Sequence, residues 1–208
     1  MKIKLLVIAV VAFLALFSSE VFAGDEFSHQ DTLINDSTNL TNGYFVSPEA
    51  KFTRVVGGFG LLLGGRAAWL VNHSYAIGLG GYGLVTNNKH PDDGSTFYNG
   101  TKLGMGYGGA FFEYLYPPSK VVHLSASLLL GGGAAGFYNT GSTPTDNYAL
   151  NVFFVAEPTV AIEINVVSYF RITIGGGYRF TSAFNAGHLS SSDISGPTAT
   201  LMLKFGSF

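Results

Sequence analysis

Eight two-faced segments, joined by links that alternate between tight and long, constrain this chain more than any single motif does. From Gly43 onward, strand character runs roughly over 43–55, 58–71, 75–87, 101–116, 120–136, 149–165, 169–182 and 196–207. Three links are tight: Asn72-His73-Ser74, Pro117-Pro118-Ser119 and Val166-Val167-Ser168. Three are long and polar, at 88–100, 137–148 and 183–195, and Val56-Gly57 adds one further short link. In a meander this order gathers the tight turns at one end and the long loops at the other. Membrane barrels sort their links this way, with short turns on the periplasmic side. A soluble sandwich has no reason to. The pattern predicts an all-β fold: an up-and-down antiparallel transmembrane β-barrel of about eight strands, with both ends of the barrel segment on the tight-turn side.

Alternation within the segments agrees, because successive side chains of a strand point to opposite faces. Phe154, Ala156, Pro158, Val160, Ile162 and Ile164 share one parity, against Glu157, Thr159, Glu163 and Asn165. Ile172, Ile174, Tyr178 and Phe180 oppose Arg171, Thr173, Arg179 and Thr181. Val122, Leu124, Ala126, Leu128 and Leu130 oppose His123, Ser125 and Ser127. Parity alone does not say which face points inward, but the charges do. The polar parity holds Glu49, Lys51, Arg66, Glu113, Glu157, Glu163, Arg171, Arg179 and Lys204, and Arg54 at a strand end breaks the pattern. A water-exposed face would carry more charge, above all more Lys. A sparse and nearly balanced set among Gly, Ser and Thr fits a narrow lumen that side chains fill. These charges are therefore expected to pair with one another as a lumen network.

The segment ahead of the barrel reads as an export signal. Lys2 and Lys4 precede an apolar run from Leu5 to Phe17, and Val21 and Ala23 are the small residues before a cut after Ala23. That run is too short for a membrane helix, which needs roughly 20 residues. The expected division is a signal peptide over 1–23, a flexible polar lead over 24–42 and the barrel over 43–208. Removing Lys2, Lys4 and Glu20 from the 11 basic and 13 acidic residues leaves 9 and 12, a formal charge of −3. No basic patch calls for nucleic acid. With no cysteine, the exported chain holds its fold without disulfides. Charged residues are only 12% of the chain while 28 glycines and 14% aromatics enrich it, a balance that suits strands facing lipid.

Few residues point to chemistry. Gly78, Gly80 and Gly83, and Gly104, Gly106 and Gly109, match a dinucleotide fingerprint, but they lie inside strands with no helix following, so no cofactor is expected. Glycines in a barrel leave room for bulky neighbours such as Tyr82 and Tyr107. His90, Asp92, Asp93, Asp146, His188 and Asp193 fall on long loops without ligand spacing, and no metal is expected. Trp69, Tyr75, Tyr114, Tyr116, Tyr169 and Phe170 collect at the tight-turn ends, where an interfacial aromatic girdle belongs.

With the export signal, the sorted loops and the ending Leu201-Met202-Leu203-Lys204-Phe205-Gly206-Ser207-Phe208, the chain resembles the eight-stranded bacterial outer-membrane barrels of the OmpA and OmpX type. Gly43-Tyr44-Phe45-Val46-Ser47-Pro48-Glu49 and Ser195-Gly196-Pro197 resemble a Gly-rich family within that class. The resemblance implies an outer-membrane location, lipid as surroundings, and Phe208 as a signal for the barrel-assembly machinery. Phe208 departs from the pattern in parity, opposite to Leu201, Leu203 and Phe205, so the last residues are expected to bend out of the strand. His123-Leu124-Ser125 also resembles the His-x-Ser pair of lipid A deacylase, with Glu157 or Glu163 as the acid. A Ser nucleophile needs its His base within reach, but the deacylase site must face lipid near the outer leaflet, whereas His123 follows a tight turn and carries the inward parity. Three readings therefore stand: a non-catalytic structural or loop-presenting barrel with a closed lumen, a lipid-modifying barrel enzyme, and a soluble lipocalin-like binder whose cavity the apolar parity lines. No motif names a partner for the loops.

Overall fold

A computed structural model describes residues 42–88, 101–117, 120–139, 151–182, 185–186 and 189–208. The signal peptide, the N-terminal lead, and His90, Asp92, Asp93, Asp146 and His188 lie outside the described residues. Eight long strands close into one antiparallel barrel: β1 (Asn42–Val55), β2 (Gly58–Val71), β3 (Tyr75–Leu84), β4 (Thr101–Tyr116), β5 (Val122–Asn139), β6 (Asn151–Val167), β7 (Phe170–Thr181) and β10 (Gly196–Ser207). Each pairs with its neighbour in sequence, and β1 closes on β10. Two two-residue strands, β8 (Asn185–Ala186) and β9 (Leu189–Ser190), and a helical turn, α1 (Ser191–Ile194), stand between β7 and β10. The tight links after β2, β4 and β6 share one end of the barrel with the start of β1 and the end of β10. The links after β1, β3, β5 and β7 share the other, here termed the loop end.

The alternation resolves into an inside and an outside. Along β1, Phe45, Ser47, Glu49, Lys51, Thr53 and Val55 are buried, while Tyr44, Val46 and Phe52 are exposed. Leu124, Leu130, Val160, Ile162 and Ile174 likewise face out. The polar parity is therefore the interior, and the apolar parity is bare to the surroundings. A large continuous apolar exterior is untenable in water and is what lipid requires of a barrel. The soluble lipocalin-like reading fails here, because the apolar parity lines the outside instead of a cavity.

Bulky interior side chains fit because glycine stands opposite them. A Cβ at Gly64 would lie 2.6 Å from Tyr82 Cδ1, and one at Gly133 would lie 2.6 Å from Tyr107 Cβ. Both stretches that match the dinucleotide pattern lie within β3 and β4.

The two ends of the barrel are tied down differently. At the loop end, Val56-Gly57 turns with both φ positive, 49° and 72°, the combination whose twist matches a tight hairpin. Val56 N–H donates to the Asp193 carbonyl at 2.7 Å, tying the turn to α1. Asn88 donates to the carbonyls of Val55 and Phe59 at 3.1 and 3.0 Å. At the tight-turn end, Phe208 stacks on buried Phe45 at 6.1 Å and covers the Arg171 guanidinium at 3.8 Å. The expectation that the last residues leave the strand is corrected. β10 continues through Ser207, and the parity of Phe208, shared with Met202 and Lys204, turns its ring inward.

Candidate functional site

The lumen is where chemistry-bearing side chains converge. Glu49, Lys51, Arg66, Glu113, Glu157, Glu163, Arg171, Arg179 and Lys204 are all buried, none more than 6% exposed. Lys204 on β10 reaches Glu113 on β4, the diametrically opposite strand, at 2.7 Å, and Glu163 on β6 at 2.6 Å. Lys51 on β1 crosses to Glu157 on β6 at 2.6 Å. Arg66 lies 3.3 Å from Glu49, and Arg171 lies 2.9 Å from Glu163. Contacts between strands so far apart around the wall can form only through the middle of the barrel. Removing charges from water is costly, and such pairs persist where every member finds its partner.

Tyrosines complete the network and were not picked out as site residues by sequence. Tyr82 O–H donates to Glu49 at 2.7 Å while accepting from Arg66 Nε at 2.7 Å. Tyr107 O–H donates to Glu157, and the Lys51 ammonium sits 3.5 Å over the Tyr82 ring. Their inward parity was the available signal. Thr173 donates to Glu163 at 3.1 Å, filling a further acceptor site on that carboxylate. Arg179 differs from the other eight charges. Among the described residues it makes no ion pair within 4 Å. It donates to the Ile194 carbonyl at 2.7 Å and to Thr53 Oγ1 at 3.3 Å, so it anchors α1 over the loop-end mouth. Ile194 itself is fully buried.

His123 and Ser125 are both buried and inward. His123 Nδ1 lies 3.2 Å from the Lys120 carbonyl and Nε2 lies 3.2 Å from Glu163. Both ring nitrogens are thus engaged away from Ser125, inside the barrel and near its tight-turn end. A base for a lipid-facing serine needs the reverse on both counts.

On the exterior, Trp69, Tyr75, Tyr116 and Tyr169 are exposed. Tyr75 lies against Tyr114 at 5.2 Å, Tyr114 against Tyr116 at 6.3 Å, and Phe170 against Phe205 at 4.8 Å. Sequence reasoning missed a second set at the loop end, comprising Phe52, Phe59, Phe154 and Tyr178, all exposed. The signal was the same aromatic enrichment at the opposite strand ends.

An apolar exterior between two aromatic sets, around a polar interior, defines a transmembrane β-barrel of the bacterial outer-membrane kind. No model of a known protein family matches the chain, and no curated protein matches it in sequence. Solved structures share its fold. Neisserial surface protein A is 11% identical with a TM-score of 0.54, over 80% of this chain and 96% of that one. The N-terminal β-barrel domain of Pseudomonas aeruginosa OprF is 11% identical with a TM-score of 0.52, over 80% of this chain and 98% of that one.

Proposed function

We propose that this chain is a non-catalytic outer-membrane barrel with a side-chain-filled, closed lumen, whose role is structural or is exercised through its loops. The cross-barrel pairing of Lys204 with Glu113 and Glu163 carries the reading, since a chain of ion pairs spanning the full width blocks a path for solutes. Opening such a path would strand buried charges at several kcal/mol each. The exterior is proposed to contact lipid, and β10 with Phe208 to be read by the barrel-assembly machinery. The long loops 88–100, 137–148 and 183–195 are the proposed contact surface for a partner, because loops on a rigid scaffold carry most binding roles. The lipid-modifying reading lacks a His–Ser pair facing lipid. Purified barrel in planar bilayers tests the proposal. A silent bilayer is expected, and stable unitary conductance steps would refute the closed lumen.

A further inference from the structure

The exterior of the eight long strands carries only two charged side chains, and both are cations at the loop end. Arg54 is the last residue but one of β1 and Lys102 the second of β4, while every other outward strand position is uncharged. Neither cation is ion-paired among the described residues. Arg54 is aligned with Phe59 on β2. Lys102 stands at the same end of the barrel, three strands further round the wall.

Below Lys102 the wall is stripped of side chains. The exterior of β4 descends from Lys102 through Gly104, Gly106, Gly108 and Ala110 to Phe112. Gly83 and Gly81 of β3 lie beside Gly106 and Gly108. A Cβ at Gly83 would meet nothing within 4 Å, and one at Gly81 or Gly106 would meet only a carbonyl, at 3.8 or 3.4 Å. The barrel's own packing does not require glycine at these three positions. The furrow is about 20 Å long, the reach of one straight saturated acyl chain. It adjoins a groove of about 420 Å³ bounded by Val46, Pro48, Gly65, Ala67, Leu79 and Gly81.

We propose that this face binds one phosphorylated, acylated lipid of the outer leaflet. Its phosphates engage Arg54 and Lys102, and an acyl chain lies along the β3–β4 furrow. The cations select this occupant over a second copy of the chain, whose strand exterior offers them no acidic group. The inference rests on the membrane-barrel reading above.

Native mass spectrometry of the purified barrel in neutral detergent tests it, with diphosphorylated lipid A and the same lipid stripped of phosphate as probes. Each basic side chain near a charged headgroup contributes about fivefold, so a single adduct favoured about thirtyfold by the phosphates is expected. Arg54→Gln with Lys102→Gln removes that preference and leaves weak binding of both lipids. Gly83→Val with Gly106→Val weakens both lipids at least about fivefold by filling the furrow. Equal binding of the two lipids by the unmodified barrel, unchanged binding in either double variant, or a barrel dimer in place of the adduct would overturn the lipid site. Each preparation is checked for a heat-dependent gel shift. Loss of the shift in the unmodified chain refutes the membrane barrel itself, whereas a shift without phosphate preference refutes only the lipid site.

Discussion

Glu157→Ala removes the acceptor of the Lys51 ammonium, 2.6 Å away, and of the Tyr107 hydroxyl, and both partners are buried. Breaking a buried pair by deleting one member costs about 3–5 kcal/mol, because the remaining charge is left uncompensated. The Tyr82 ring 3.5 Å from Lys51 retains part of the ammonium's stabilisation, up to about 2 kcal/mol. The expected loss is therefore about 3 kcal/mol, at the lower end of that range. Replacing both partners by apolar residues of similar volume, Glu157→Leu with Lys51→Met, removes the stranded charge and is expected to recover most of the loss. The assay is urea unfolding in lipid vesicles, followed by fluorescence of Trp69, the chain's single tryptophan, which faces outward. The free energies are compared by linear extrapolation, and the Glu157→Leu and Lys51→Met single variants with their double form a cycle whose coupling is about 2 kcal/mol or more. A loss below about 1 kcal/mol in Glu157→Ala, or strict additivity of the two replacements, would refute the reasoning.

Four further substitutions probe the same geometry. Gly133→Ala places a Cβ 2.6 Å from Tyr107 Cβ and against the Gly106 carbonyl, and is expected to cost about 1–3 kcal/mol in the urea assay. Gly83→Ala, with open space at its Cβ, is expected to be neutral or mildly stabilising. Val56→Asn relieves a β-branched residue at φ 49° and creates an Asn-Gly turn, so the urea midpoint should rise by the equivalent of about 1 kcal/mol. Arg179→Met deletes the donor that holds the Ile194 carbonyl, and limited proteolysis should then cleave at α1 while the gel-shifted barrel core stays intact.

The fold was legible to the residue where turn chemistry and alternation coincide. The segments 58–71, 101–116 and 196–207 are strands over those bounds. Strand character in the third segment runs to 87, but β3 stops at Leu84 because Thr86 and Asn88 turn to bond the β1–β2 hairpin. The fifth and sixth segments shift by two or three residues at their ends, where strand propensity extends into the links. In β6 a register irregularity lies between Asn165 and Val167. Helix α1 spans four residues, too few for any periodicity to announce it. In the lumen, the membership of the polar face could be read from parity, but its pairing could not. Lys204 meets Glu113 only because closure puts β10 opposite β4, and that follows from strand number and stagger rather than from local sequence.

The chain contains no cysteine, so single cysteines can report each face of the wall without background. Ser127→Cys and Thr200→Cys point into the lumen, and Leu130→Cys and Val160→Cys point out of it. In outer-membrane vesicles, a membrane-impermeant, hydrophilic maleimide is predicted to leave all four unlabelled until the barrel is unfolded. A lipid-soluble maleimide is predicted to label only positions 130 and 160. Labelling of Ser127→Cys or Thr200→Cys by the hydrophilic reagent in the folded protein would contradict the filled, closed barrel.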